Sequence, residues 1–257
     1  MENNVADGIL GAAVAFLLAV VTTPVGVSGA VLLLPFQASV LKVATPALTP
    51  TNLLYNVVTT PGALVRLAQE NRLRSPLVGR LLAGALPGIA VGAVARVEFL
   101  PGRDALYAIA AFVLLPLGVW LLLPTRPRRA ASFGALTLGM VGFAVGVVGG
   151  LYGIGGGSLL APILVVSGYA VTAVAPAALA CTAATSTVGV AVFTLLSLGD
   201  GADVAPVWWL GIAMGAGGAA GSYIGIRIQS RLPEAFLRRL LGLLAVGIGV
   251  GYAIALL

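Results

Sequence analysis

Residues 149–162 read Gly149-Gly-Leu-Tyr-Gly-Ile-Gly-Gly-Gly-Ser-Leu-Leu-Ala-Pro162, an uncharged segment between two long apolar runs. Gly155, Gly156 and Gly157 are consecutive, so they spread around a helix instead of forming one stripe. A glycine cluster of this kind breaks a membrane helix and lets backbone come close to a ligand. A fainter copy lies near the start of the chain: Pro24-Val-Gly-Val-Ser-Gly-Ala-Val-Leu-Leu-Leu-Pro35. Superposed, Gly26 meets Gly153, Ser28 meets Gly155, Gly29 meets Gly156 and Pro35 meets Pro162. Matching breaks in two halves of a membrane protein point to a transporter's binding site.

The composition sets the same frame. Of 257 residues, 60% are hydrophobic and 9% charged, against about 25% charged in a soluble domain. That deficit places the chain in the membrane class, and its long apolar runs read as helices, giving an all-α integral membrane fold. The net charge of +6 sits in short loops, where it marks topology and is no nucleic-acid signal. Cys181 stands alone and reads as a small apolar filler, and the chain has no histidine. The first residues lack the basic region of a signal peptide. No Asp or Glu falls in the middle of an apolar run, so a membrane proton relay lacks its usual carboxylate. No nucleophile–base arrangement is present either, which argues against an enzyme. No cofactor or metal is implied.

Taken in order, the chain repeats one plan. Residues 8–41 are too long for one span and too short for two, and Pro24, Gly26 and Gly29 divide them into a V-shaped pair of short half-helices. A helix over 46–67 and spans over 81–94 and 105–123 follow. In the second half residues 132–167 form the broken stretch, and 171–198, 207–225 and 240–257 supply three spans. The halves are residues 1–127 and 128–257, each a glycine-broken helix pair plus three spanning helices. Basic loops near Arg72, Arg128 and Arg231 belong inside. The acidic loop at Asp200 and Asp203, and a balanced one with Arg96, Glu98, Arg103 and Asp104, belong outside. Parity then makes each V return to its own side, with both termini outside and the second repeat inverted. The alternative, in which each broken stretch crosses once, gives parallel halves and breaks the charge rule.

Candidate binding residues cluster at the breaks and on the helices after them. Helix N-termini hold anions without a cationic side chain, which nominates Gly26, Ser28 and Gly29 in one half and Gly153, Gly155, Gly156, Gly157 and Ser158 in the other. Asn52 and Asn56, and Thr182, Thr185 and Ser186, recur near helical spacing and must face protein or water. They either line the substrate path or hydrogen-bond helix to helix. Glycines repeating every four residues read as helix packing: Gly84-Gly88-Gly92, Gly142-Gly146-Gly150, Gly217-Gly221-Gly225 and Gly247-Gly251. Trp120, Trp208 and Trp209 fall at span ends as interfacial anchors.

The duplicated signature resembles that of the sulfite exporter TauE/SafE family of anion permeases. Gly153-Ile-Gly-Gly-Gly-Ser-Leu-Leu-Ala-Pro162 is similar throughout. Gly26-Val-Ser-Gly-Ala-Val-Leu-Leu-Leu-Pro35 has Ala30 where a third glycine is common, and Thr51-Asn52 and Thr185-Ser186 are also similar. The resemblance implies an inner-membrane transporter, bacterial or archaeal, of sulfite, sulfoacetate or other organosulfonates. The expected function is thus a secondary anion exporter with its substrate near midplane between the breaks. Its partners are the lipid bilayer and a small anion, with no nucleic acid, and a homodimer stays open. An anion-selective channel and a non-transporting membrane scaffold are the alternatives.

Overall fold

The computed structural model describes residues 5–73, 76–99, 104–123, 133–199 and 204–256, and among them every regular element is helical. Helix α1 (Val5–Thr22) runs into a 3-10 turn (Thr23–Val25) and is followed by α2 (Ala30–Ser39), α3 (Thr45–Gln69), α4 (Pro76–Glu98) and α5 (Asp104–Leu122). Then come α6 (Ala135–Tyr152), α7 (Gly157–Val166), α8 (Val171–Ser197), α9 (Trp208–Gln229) and α10 (Glu234–Ile254). Five helices, α1 with its 3-10 turn, α4, α6, α8 and α10, are long and apolar enough to cross a membrane. The chain is a multi-pass membrane protein.

Both broken stretches turn at a matched glycine, and the second adds another left-handed residue, Gly155, at φ 66°. Gly26 and Gly153 each have φ 76°, a left-handed conformation that a side chain disfavours. Each also lies against the opposite half. A Cβ on Gly26 would stand 2.7 Å from Ala175 Cα in α8, and one on Gly153 2.6 Å from the Thr49 carbonyl in α3. The V, however, has unequal arms, which corrects the expectation of two short pieces. Helices α1 and α6 have 18 residues each, whereas α2 and α7 have ten. At 1.5 Å per residue the long arm is about 27 Å and the short arm about 15 Å. The turning glycine follows some 18 apolar residues, so a near-complete span is built before the chain reverses.

Small residues set the pairing and its direction. In α4 and α6, a Cβ on Gly84, Gly88 or Gly92 would overlap the carbonyls of Gly139, Phe143 and Val147 in turn, so these helices run parallel. Gly142, Gly146 and Gly150 return the contact to Leu81, Ala85 and Ile89. Along α1 and α9, Gly217, Gly221 and Gly225 meet Ala12, Phe16 and Val20, again in parallel. Along α3 and α9, Gly211, Gly215 and Gly218 meet Leu54, Val58 and Thr59. Hence α1 and α3 point the same way, and α2 carries the chain back between them. Helices α3 and α8 are antiparallel: Gly189 packs on Leu53, while Arg72 beyond the end of α3 reaches Thr172. Helices α5 and α10 are antiparallel as well, Gly242 on Leu122 and Gly249 on Leu115.

Proline supplies two cross-links. Pro35 has no N–H, so the Val31 carbonyl one turn back is free, and Tyr252 Oη donates to it at 2.5 Å. Pro176 frees the Thr172 carbonyl in the same way, and Arg72 Nη2 donates to it at 3.1 Å.

Some expectations need correction. Among the described residues Gly247 and Gly251 pack on nothing: a Cβ on either meets no atom within 4 Å, because α10 turns Gly242 and Gly249 inward instead. Arg96 is not in a loop; α4 continues to Glu98 and buries it. Likewise α9 runs past residue 225 and takes in Arg227, and α10 starts before residue 240 and takes in Arg238 and Arg239. The basic loop near Arg128, and Arg103, Asp200 and Asp203, lie outside the described residues.

Candidate functional site

The two breaks touch. The Ser28 N–H donates to Ser158 Oγ at 3.1 Å, joining residues far apart in sequence. Ser28 Oγ donates to Asn56 Oδ1 and accepts at 3.1 Å from the N–H of Ala30, the first residue of α2. On the other side the Gly156 N–H donates to Thr185 Oγ1 at 3.0 Å, and that hydroxyl donates to the Cys181 carbonyl at 2.6 Å. Ser158 Oγ donates to the Ile154 carbonyl at 3.2 Å. Asn56 and Thr185 stand within about one residue of the midpoints of α3 and α8. Both short helices therefore start level with the middle of these long helices, with their N-termini and partial positive charge facing a common centre.

Seven polar residues, Ser28, Asn52, Asn56, Ser158, Thr182, Thr185 and Ser186, are at most 2% exposed. Closure on this scale normally demands full pairing of polar atoms. Three side-chain groups do not comply: Asn56 Nδ2, Thr182 Oγ1 and Ser186 Oγ have no hydrogen-bond partner. The two hydroxyls face the glycine triplet. A Cβ on Gly155 would stand 2.7 Å from Ser186 Oγ, and one on Gly157 would overlap Thr182 Oγ1. All three groups can donate, and none is charged. Gly29 adds a close approach of its own, since a Cβ there would stand 2.6 Å from the Tyr55 hydroxyl.

Not every sequence candidate joins the centre. Gly26 and Gly153 shape the turns and pack on α8 and α3, away from the unpartnered donors. Asn52 is already engaged at both ends. Its Oδ1 accepts from Gln37 Nε2 at 2.9 Å, and its Nδ2 donates to the Ala30 carbonyl at 2.9 Å, so it pins α2 to α3. Asn52→Leu is expected to strip both bonds and leave a buried amide and carbonyl unpaired. That should lower stability by roughly 1–3 kcal/mol, measured as melting temperature in detergent. A variant that keeps its melting temperature but loses substrate would instead place Asn52 in the path.

Two polar residues escaped the sequence reading. Arg96 is 4% exposed, and its Nε donates to Thr49 Oγ1 at 3.4 Å, on the residue whose carbonyl meets Gly153. Gln229 is fully buried; its Nε2 donates to the Pro24 carbonyl beside the first break, and its Oε1 accepts from Arg72 Nη2 at 2.8 Å. Each follows the last glycine of a ladder by one more step of four: Gly84-Gly88-Gly92 leads to Arg96, and Gly217-Gly221-Gly225 to Gln229. That continued period was the available signal.

The family model for the sulfite exporter TauE/SafE matches residues 11–252, nearly the whole chain and both breaks. The chain belongs to the sulfite exporter TauE/SafE family. No curated protein and no solved structure matches it. TauE/SafE membership is membership of a membrane transporter family, generally non-enzymatic. Within this TauE/SafE chain the match runs from α1 to α10 and takes in the glycine ladders with the breaks.

Proposed function

We propose that this chain is a secondary exporter of small sulfur oxyanions, sulfite or an organosulfonate, held between the two breaks. One observation carries the reading: buried donors without partners meet at the only place where both short helices begin. An unpartnered buried donor costs roughly 1–3 kcal/mol. Three of them around one centre are understandable if a ligand with several acceptor oxygens completes them. Hydrogen bonds to a charged acceptor are worth about 1.5–3 kcal/mol each, so neutral donors and helix N-termini suffice without lysine or arginine. Burial closes the centre to both sides, as the occluded state of a carrier requires. Export of an anion from a negative-inside cell is electrically downhill by about 2.3 kcal/mol per charge per 100 mV, which removes the need for a proton carboxylate.

The same proposal has residues 1–127 and 128–257 as repeats inverted in the inner membrane, with both termini outside. The helix pairing supports this. Exchanging the halves turns α4 on α6 into α9 on α1, and α3 on α9 into α8 on α4, all contacts that occur. It turns α3 on α8 and α5 on α10 into themselves, both antiparallel. In a Cys181→Ala background, a cysteine at Asp203 should react with an impermeant thiol reagent from outside, and one at Arg128 should not. Labelling at 128 from outside would overturn the orientation. The function itself is tested in proteoliposomes: labelled sulfite should show counterflow against an unlabelled gradient. Uptake without counterflow would mean a channel, and no flux of sulfite or any organosulfonate would refute the reading.

A further inference from the structure

An open concavity lies away from the two breaks, on the outward face of the α4–α6 pair. It is a groove of about 770 Å³ bounded by Gly79, Ala83 and Pro87 of α4 and by Leu136, Gly139 and Phe143 of α6. Small residues make it. A Cβ on Gly79 or Gly139 would meet no atom of the described residues within 4 Å, whereas Leu136, Met140 and Phe143 stand exposed around the hollow. Among the described residues Arg80 is the one charged residue of its lining, is exposed, and makes no ion pair. It sits at one end of the groove, in the first turns of α4, where the helix N-terminus adds partial positive charge.

We infer that this groove holds one phospholipid with an anionic headgroup. The headgroup phosphate lies on Arg80, and an acyl chain runs along α4 toward Pro87. Dimensions and charge both fit. From Gly79 to Pro87 the lining rises through eight steps of α4, about 12 Å at 1.5 Å per residue. That is close to the roughly 15 Å of hydrocarbon in a single leaflet. The cation stands at the end of the groove where a headgroup would be, and the rest of the wall is apolar. A second copy of the chain would instead leave Arg80 facing an identical Arg80 or an apolar helix. A basic pocket between helices at the membrane edge is the setting in which anionic headgroups are held. The floor of the groove is the glycine contact of Gly84 with Gly139. The lipid would therefore cover the α4–α6 seam that leads to the second break.

The test is native mass spectrometry of the full chain released from nanodiscs of equal phosphatidylglycerol and phosphatidylcholine. The wild type is expected to retain one phosphatidylglycerol in preference to phosphatidylcholine. Arg80→Gln should keep its melting temperature and lose that preference by about fivefold, the discrimination one cation near a membrane surface supplies. Gly139→Leu should fill the groove without touching protein and release the lipid of either headgroup. Equal retention of the two lipids by the wild type would overturn the proposal. So would a dimer that Gly139→Leu converts to monomer, since the occupant would then be a second copy.

Discussion

Gly157→Ala is expected to abolish transport and lower the folded yield, whereas Gly156→Ala, one residue earlier, keeps both. The two positions look alike in sequence, and they differ in what they touch. A Cβ on Gly157 would overlap the Ala178 carbonyl and Thr182 Oγ1, both on α8. Neither can yield: the carbonyl belongs to a helix backbone, and Thr182 is fully buried. One methyl there must lift α7 off α8 and displace a proposed substrate donor. Overpacking of this kind typically costs 1–3 kcal/mol, at times more. Gly156 has φ −61° and ψ −31°, ordinary helical values. Its added Cβ would find its nearest neighbours at 3.6 Å, on Gly146 and Thr185, which is normal contact. Folded protein measured by size exclusion, with sulfite flux per folded molecule, separates the two. A Gly157→Ala protein that folds and transports normally would show that α7 does not depend on this contact.

That contrast marks the limit of what the residues alone could tell. The triplet announced a helix break, because three adjacent glycines have no use in a regular membrane helix. Which of them bears the close approach depends on the rotation of α7 against α8, a tertiary fact. The same holds for the two asparagines. Asn52 and Asn56 are one turn apart on one face of α3, and both had to be buried. Only packing shows Asn52 tied to Gln37 and Ala30 while Asn56 keeps a free amide at the centre. Long elements with a clear polar stripe were legible almost to the residue: 46–67 against Thr45–Gln69, and 171–198 against Val171–Ser197. Charged residues near span ends were read poorly. Arg96 follows three ladder glycines, so the rule that places arginine in loops competes with a period of four that carries it inward. The ladder wins because α4 needs its full length beside α6. Gly247 and Gly251 failed for the opposite reason: spacing of four suits packing but does not select the face that packs.

Thr182→Val and Ser186→Ala should each weaken sulfite binding about tenfold or more while leaving the melting temperature unchanged or slightly higher. The argument rests on the asymmetry of hydrogen bonding in a buried site. A hydroxyl already paired inside the protein contributes to stability, and removing it leaves its partner exposed to no solvent. A hydroxyl with no protein partner contributes nothing of the kind, so an apolar group of the same shape is neutral or stabilising. Thr182 and Ser186 are of the second sort, fully buried and unpartnered. If a bound oxyanion completes them, each bond is one to a charged acceptor, worth about 1.5–3 kcal/mol, which corresponds to tenfold or more in affinity. Thr185→Val is the control. Its hydroxyl accepts from the Gly156 N–H and donates to the Cys181 carbonyl. Its loss should therefore lower the melting temperature, whatever happens to binding. Calorimetry with sulfite and thermal unfolding in the same detergent give both readouts. A Thr182→Val protein that unfolds earlier yet binds sulfite as the wild type does would make Thr182 part of the packing and move the site away from the glycine triplet. Should both hydroxyl variants behave so, Asn56 Nδ2 and the Tyr55 hydroxyl beside Gly29 would be left as the unpartnered donors at the first break, too few to hold an anion without a cation.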